Sequence, residues 1–180
     1  LLMRTRNGGY EAFGNLPVPT NLGTPTKPNS VRMENVGPVI TGVIHSPVYP
    51  KKNEPATVSA RIIDPDGLAK VTLHYRIDPG KMTIEVKMVD NGTAQDQVAN
   101  DGIFTGQLPA QTMAKLVCFW IEAEDALEEA QTSTYPSTAP ARECLVRMGT
   151  NPTKLNELGQ YHFLINRDAS LQWSKNHKRS

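Results

Sequence analysis

At 180 residues the chain is long enough to bury one good core and to leave tails or part of a second unit. Nineteen Lys and Arg against eighteen Asp and Glu leave a formal charge of +1, which argues against a general pull toward nucleic acid or an anionic membrane. No apolar run reaches membrane-spanning length, and two cysteines, Cys118 and Cys144, are too few for a disulfide scaffold. Fourteen prolines and thirteen glycines with only 6% aromatics suit a loop-rich, strand-based protein better than a helical bundle.

The chain opens Leu1-Leu2-Met3-Arg4, with no initiator methionine and no apolar leader, so it is expected to be a piece of something longer. Residues 1–36 are broken by Gly8-Gly9, Pro17, Pro19, Gly23, Pro25 and Pro28. Proline fixes φ and withholds a donor, so this stretch predicts an extended linker or the end of a preceding domain, with Tyr10, Phe13 and Leu16 free to pack on a neighbour.

From 37 to 149 the pattern changes to short alternating runs separated by turns, which predicts an all-β, immunoglobulin-like or fibronectin-type-III-like antiparallel sandwich of about seven strands. The expected strands are Val39–His45, Thr57–Ile63, Lys70–Ile77, Thr83–Val89, Ile103–Leu108, Leu116–Glu124 and Glu143–Met148. Val58, Ala60 and Ile62 share one face of the second. In the third, Val71, Leu73, Tyr75 and Ile77 point inward while Thr72, His74 and Arg76 face out. In the sixth, Val117, Phe119, Ile121 and Ala123 oppose Cys118, Trp120, Glu122 and Glu124. Asp64-Pro65-Asp66-Gly67 and Asp78-Pro79-Gly80 supply turns, and Asp125–Glu129 a short polar excursion. Residues 150–180 read as a spacer, a strand signal at Tyr161–Ile165 and a short helix through Trp173 capped by Asn166 or Asp168, the start of a following domain.

The sharpest chemical candidate is the loop between Asn91-Gly92 and Asp101-Gly102. Asp90, Asp96 and Asp101, with Asn91 and Asn100, concentrate the hard oxygen donors that Ca²⁺ takes six to eight at a time. Their spacing is not that of an EF-hand, and Asp and Asn also close turns by accepting backbone N–H groups. Trp120, on the outward face of its strand, is a candidate binding residue that would stack on a sugar ring or dock a partner; cover by a loop of its own domain is the alternative. His45, His74, His162 and His177 are scattered without zinc spacing. Ser46, Ser59 and Ser133 lack a nucleophile elbow, and no phosphate-cradling glycine loop is present, so no catalytic residue and no cofactor other than Ca²⁺ is expected. Cys118 and Cys144 read as buried thiols or, if their strands are neighbours, as a pair.

Pro17–Pro25 with Pro28-Asn29-Ser30 resembles the exit of a lamin-tail domain. Gly37–Ile40, His45-Ser46-Pro47, Asp64–Gly67, Asp90–Phe104 and Ile121–Asp125 resemble the immunoglobulin-like module that follows it in large bacterial secreted or envelope proteins. Glu143–Arg147 and Tyr161–Trp173 resemble the entry to a CotH-type kinase-like domain. The resemblance implies an extracellular or cell-envelope location and a bacterial source, in which the sequon Asn91-Gly92-Thr93 is simply a turn. The expected role is a non-catalytic spacer or interaction module whose partners are neighbouring domains of the same chain, with a protein or glycan as a further candidate. A calcium- or carbohydrate-binding module and an accessory part of a CotH-like kinase are the alternatives. Kinase chemistry would belong to the following domain, and no position here carries it.

Overall fold

The alternation between Gly37 and Met148 folds into two antiparallel sheets that bury one set of apolar side chains between them. The computed structural model describes residues 2–4, 10–12, 35–150 and 163–176. The Pro17–Ser30 stretch, Phe13, Leu16, most of the 150–159 spacer, Tyr161, His162 and the terminal basic residues from His177 on lie outside the described residues.

The chain divides into two units, residues 1–35 and 36–180. In the first, β1 (Leu2–Arg4) and β2 (Tyr10–Ala12) pair antiparallel with Leu2 opposite Ala12, so the expected linker includes a short two-stranded ribbon. The second holds β3 (Val39–Ser46), β4 (Ala56–Ile63), β5 (Leu68–Ile77), β6 (Ile84–Lys87), β7 (Ile103–Leu108), β8 (Lys115–Asp125), β9 (Thr132–Tyr135), β10 (Cys144–Met148) and helix α1 (Arg167–Asn176). One sheet runs β3-β4-β7. The other runs β6-β5-β8, with β9 and β10 following each other along the far side of β8. This is an all-β antiparallel sandwich of eight strands.

All seven expected strands are present within a few residues of their predicted ends, and an eighth, β9, joins them. Tyr135 to Thr132 lie opposite Ile121 to Glu124, and Cys144 to Met148 opposite Phe119 to Lys115. The two short strands are therefore one returning strand, interrupted opposite Trp120 by residues 136–143. Pro136 and Pro140 in the interruption cannot donate to a ladder, which is why the alternation there is broken and β9 left little trace in the sequence. The strand expected at Tyr161–Ile165 is not formed at its described residues, Phe163–Ile165, which are exposed and irregular.

The core contains Val58, Ala60 and Ile62 of β4, Val71, Leu73 and Tyr75 of β5, and Val117, Phe119, Ile121 and Ala123 of β8, as period-two burial predicts. Met88, Leu108, Val146 and Met148 complete it. Each large apolar side chain buried there contributes roughly 1.5–3 kcal/mol. The opposite face of the β5–β8 pair departs from expectation. Thr72, His74, Cys118 and Trp120 were expected to face outward; they point away from the core but are buried, with Thr72 3% and Trp120 8% exposed. The centre of this sheet is covered on both sides.

Gly106 of β7 lies opposite Val58 on the core side. A Cβ built there would stand 3.0 Å from Met88 Cγ and 3.2 Å from Leu73 Cδ2, so the two sheets approach closely at this residue. Gly106→Ala should therefore overpack the interior and lower unfolding free energy by about 1–3 kcal/mol, read as a reduced urea midpoint at unchanged slope.

Candidate functional site

The three acids singled out from the sequence converge. Val89 and Thr105 exchange backbone hydrogen bonds at 2.9 Å in both directions, closing the 90–104 segment into a hairpin loop. Inside it, carboxylate oxygens of Asp90, Asp96 and Asp101 lie within 4.8 Å of one another. Asp96 is only 4% exposed, and its Oδ2 accepts the backbone N–H groups of Asn91 at 2.5 Å and Gly92 at 2.6 Å. Asp90 accepts from Asp101 N at 3.3 Å and Gly102 N at 2.9 Å, and Asp101 Oδ1 from Ile103 N at 2.8 Å. Gly102 sits at φ +79°, a conformation that side chains rarely adopt. Oriented backbone donors thus offset much of the repulsion among the three charges.

Beside the acids is a cavity of about 470 Å³ whose walls include Ser46, Thr57, Ser59, Thr105, Asp96 and Asp101. Ser46 lies opposite Thr57 and Ser59 opposite Thr105 in the β3-β4-β7 sheet, so a hydroxyl-bearing face meets the acidic loop. The arrangement closes the hairpin through side-chain caps and leaves carboxylate lone pairs that a hard cation could use. Asp64 and Asp66 do not join it: Asp64 Oδ1 accepts from Asp66 N at 2.8 Å, an ordinary turn closure.

Trp120 occupies a different place. Its ring stacks on His74 with centroids 4.9 Å apart and planes 4° from parallel. It lines a second cavity, of about 710 Å³, between the outer face of the β5–β8 pair, the 140–143 loop and helix α1. His74 lies between two carboxylates, Glu85 Oε1 at 3.9 Å and Glu122 Oε1 at 3.8 Å. Next to Trp120, Arg76 donates from Nε to Glu143 Oε1 at 2.6 Å and from Nη2 to Glu143 Oε2 at 2.5 Å. Its Nη1 reaches Asp78 Oδ1 at 3.3 Å and the Gly80 carbonyl at 2.9 Å. The Arg76 and Glu143 side chains are 11% and 5% exposed, and the Glu143 hydrogen bonds raise the guanidinium pKa further above its ordinary value.

This bracket was not anticipated from the sequence, because its partners are 67 residues apart and Glu143 stands in a loop. The available signal was an Arg flanked in its strand by Tyr75 and Ile77.

Among the described residues the remaining candidates do not assemble. His45 Nδ1 lies 3.2 Å from the Pro47 carbonyl, far from His74 in sequence and in a different sheet. Both cysteines are free. Their strands are neighbours, yet Cys144 lies opposite Phe119 and Leu145 opposite Cys118, so the two thiols fall on opposite faces of the sheet. Burial pushes the Cys118 thiol up to about 12, with the Glu143 carboxylate acting in the same direction, and burial raises Cys144 as well.

No protein-family model matches the chain, and no curated protein is similar enough to serve as a relative.

A thiol pKa raised by folding stabilises the native state at every pH below the ordinary value of 9.0, and that contribution is lost as pH climbs toward about 12. The urea midpoint should therefore fall across this window. In a Cys118→Ala, Cys144→Ala variant the fall should be smaller, and native wild-type protein at neutral pH should label with a maleimide far more slowly than unfolded protein.

Proposed function

We propose that residues 37–149 form a non-catalytic spacer and interaction module of a multidomain extracellular protein. The observation that supports this reading is where the chain enters and leaves. It enters β3 at Val39, opposite Ile63, and leaves β10 at Met148; the following Gly149 N–H donates to the Pro50 carbonyl at 3.0 Å, just beyond the other end of β3. Entry and exit are thus separated by about the length of an eight-residue strand, roughly 26 Å. A module with its ends at opposite poles holds its neighbours apart, whereas adjacent ends would fold them back on each other. The most conspicuous charged groups, Arg76, Asp78, Glu143 and the three loop acids, are also engaged in building the module itself.

The experiment is an exchange within the parent protein. Replacing residues 37–149 with an unrelated sandwich of equal pole-to-pole span should preserve the activity of the flanking domains if spacing is the role. Loss of activity would reject a pure spacer and point to a specific surface. The coding sequence on either side tests the lamin-tail and CotH-type context directly.

A second reading, a calcium-dependent module, is favoured by the convergence of Asp90, Asp96 and Asp101 beside a hydroxyl-lined cavity. A ligand that binds only the folded state must stabilise it. On this reading millimolar Ca²⁺ raises the melting temperature of wild type but not of Asp101→Asn. On the spacer reading Ca²⁺ leaves both unchanged, because backbone donors already serve the acids. Asp96→Ala should destabilise on either reading, by about 1–3 kcal/mol, since it removes the charged acceptor of two backbone N–H groups.

A further inference from the structure

Helix α1 is short, and every described side chain from Arg167 to Lys175 is exposed. Leu171 and Trp173 are among them, at 46% and 62%. Isolated helices below roughly 12–15 residues are marginal in water, and this one carries Asp168, Ser170 and Ser174, none a strong helix former. Its order must come largely from its attachment.

Its N-terminal end is anchored to the sandwich. Asn166 is the N-cap: its Oδ1 accepts from Ala169 N at 2.8 Å while its Nδ2 donates to Glu143 Oε2 at 3.2 Å. The first helical amide, Arg167 N, donates to both oxygens of Asp78 at 3.2 and 3.1 Å. A carboxylate at the positive end of a helix is favourable, and Asp78 and Glu143 are held in place by their common partner Arg76. A further contact to the sandwich, Lys81 Nζ to Asp168 Oδ2 at 3.6 Å, joins two exposed side chains and adds little. Beneath the helix is the 710 Å³ cavity with Trp120 in its wall.

We propose that Asn166–Asn176 is a strap that becomes helical only when its N-terminus docks on the Asp78–Arg76–Glu143 bracket, and that its release melts the helix and opens the Trp120 cavity in one step. The device is independent of the spacer reading. It makes the outer face of the β5–β8 pair a surface that is available in one state and covered in the other.

The decisive substitution is Asn166→Asp. Asp caps a helix as well as Asn, so intrinsic helix formation is conserved, but a carboxylate replaces the amide that faces Glu143. In the full chain, hydrogen exchange of the amides from Ala169 to Lys175 should accelerate at least tenfold in Asn166→Asp and in Asp78→Asn, with β5 and β8 amides unchanged. Lys81→Ala should match wild type. Trp173→Phe leaves Trp120 the only tryptophan, since the chain has two. In that background Asn166→Asp should at least double quenching of Trp120 by acrylamide.

Unchanged exchange in Asn166→Asp would overturn the proposal, because the helix would then stand without the bracket. Joint loss of protection in α1, β5 and β8 would also overturn it, since the helix would belong to the cooperative core. Faster exchange with unaltered quenching would reject the opening of the cavity.

Discussion

The strand pair β5–β8 is buried on both faces, and the remainder of the second unit is arranged around that fact. Leu73 opposite Ile121 and Tyr75 opposite Phe119 face the three-stranded sheet, while His74 opposite Trp120 and Arg76 opposite Cys118 face the other way. A sandwich sheet ordinarily has one face in water, which permits polar residues there. Here the second face carries an aromatic stack, a thiol and a guanidinium, and each needs cover or a partner. The interrupted return strand supplies both: residues 136–143 leave the ladder opposite Trp120 and deliver Glu143 to Arg76.

The Arg76–Glu143 pair is an expensive means of closing that face. Two charges removed from water recover their solvation only when geometry is good and the remaining lone pairs are used. The bidentate contact provides the first, and Asn166 on Glu143 and Gly80 on Arg76 provide much of the second. The same carboxylate that neutralises Arg76 opposes ionisation of the neighbouring Cys118 thiol. The outer face is therefore specific in its partners and chemically quiet at neutral pH.

How much of this is legible in the sequence varies with the range of the interaction. Alternation through Val71, Leu73 and Tyr75 and through Val117, Phe119 and Ile121 is local, and it identifies the strands and their inward faces correctly. Capping is local too: Asn166 and Asp168 were the two candidate caps, and Asn166 takes the position. Alternation is silent about what covers the other face, so Thr72 and His74 read as outward when they are buried, while of the two readings of Trp120 it is cover by a loop of its own domain that the structure shows. The convergence of Asp90, Asp96 and Asp101 was visible only as a density of acids in one loop, since their approach to 4.8 Å depends on the Val89–Thr105 closure. Pairing of Cys118 with Cys144 hinged on register by a single residue, a quantity that strand prediction does not reach.

The placement of the sandwich's entry at Val39 and exit at Met148 has a mechanical consequence. β3 runs away from its entry point and β10 runs toward its exit, so tension applied through the neighbouring chain would pull each terminal strand along its own axis. Such a load slides a strand past its partner and stretches the rungs of the β3–β4 and β8–β10 ladders together, whereas a perpendicular load would unzip them singly. Loaded in this direction, the sandwich would resist stretching through many weak bonds sharing the force.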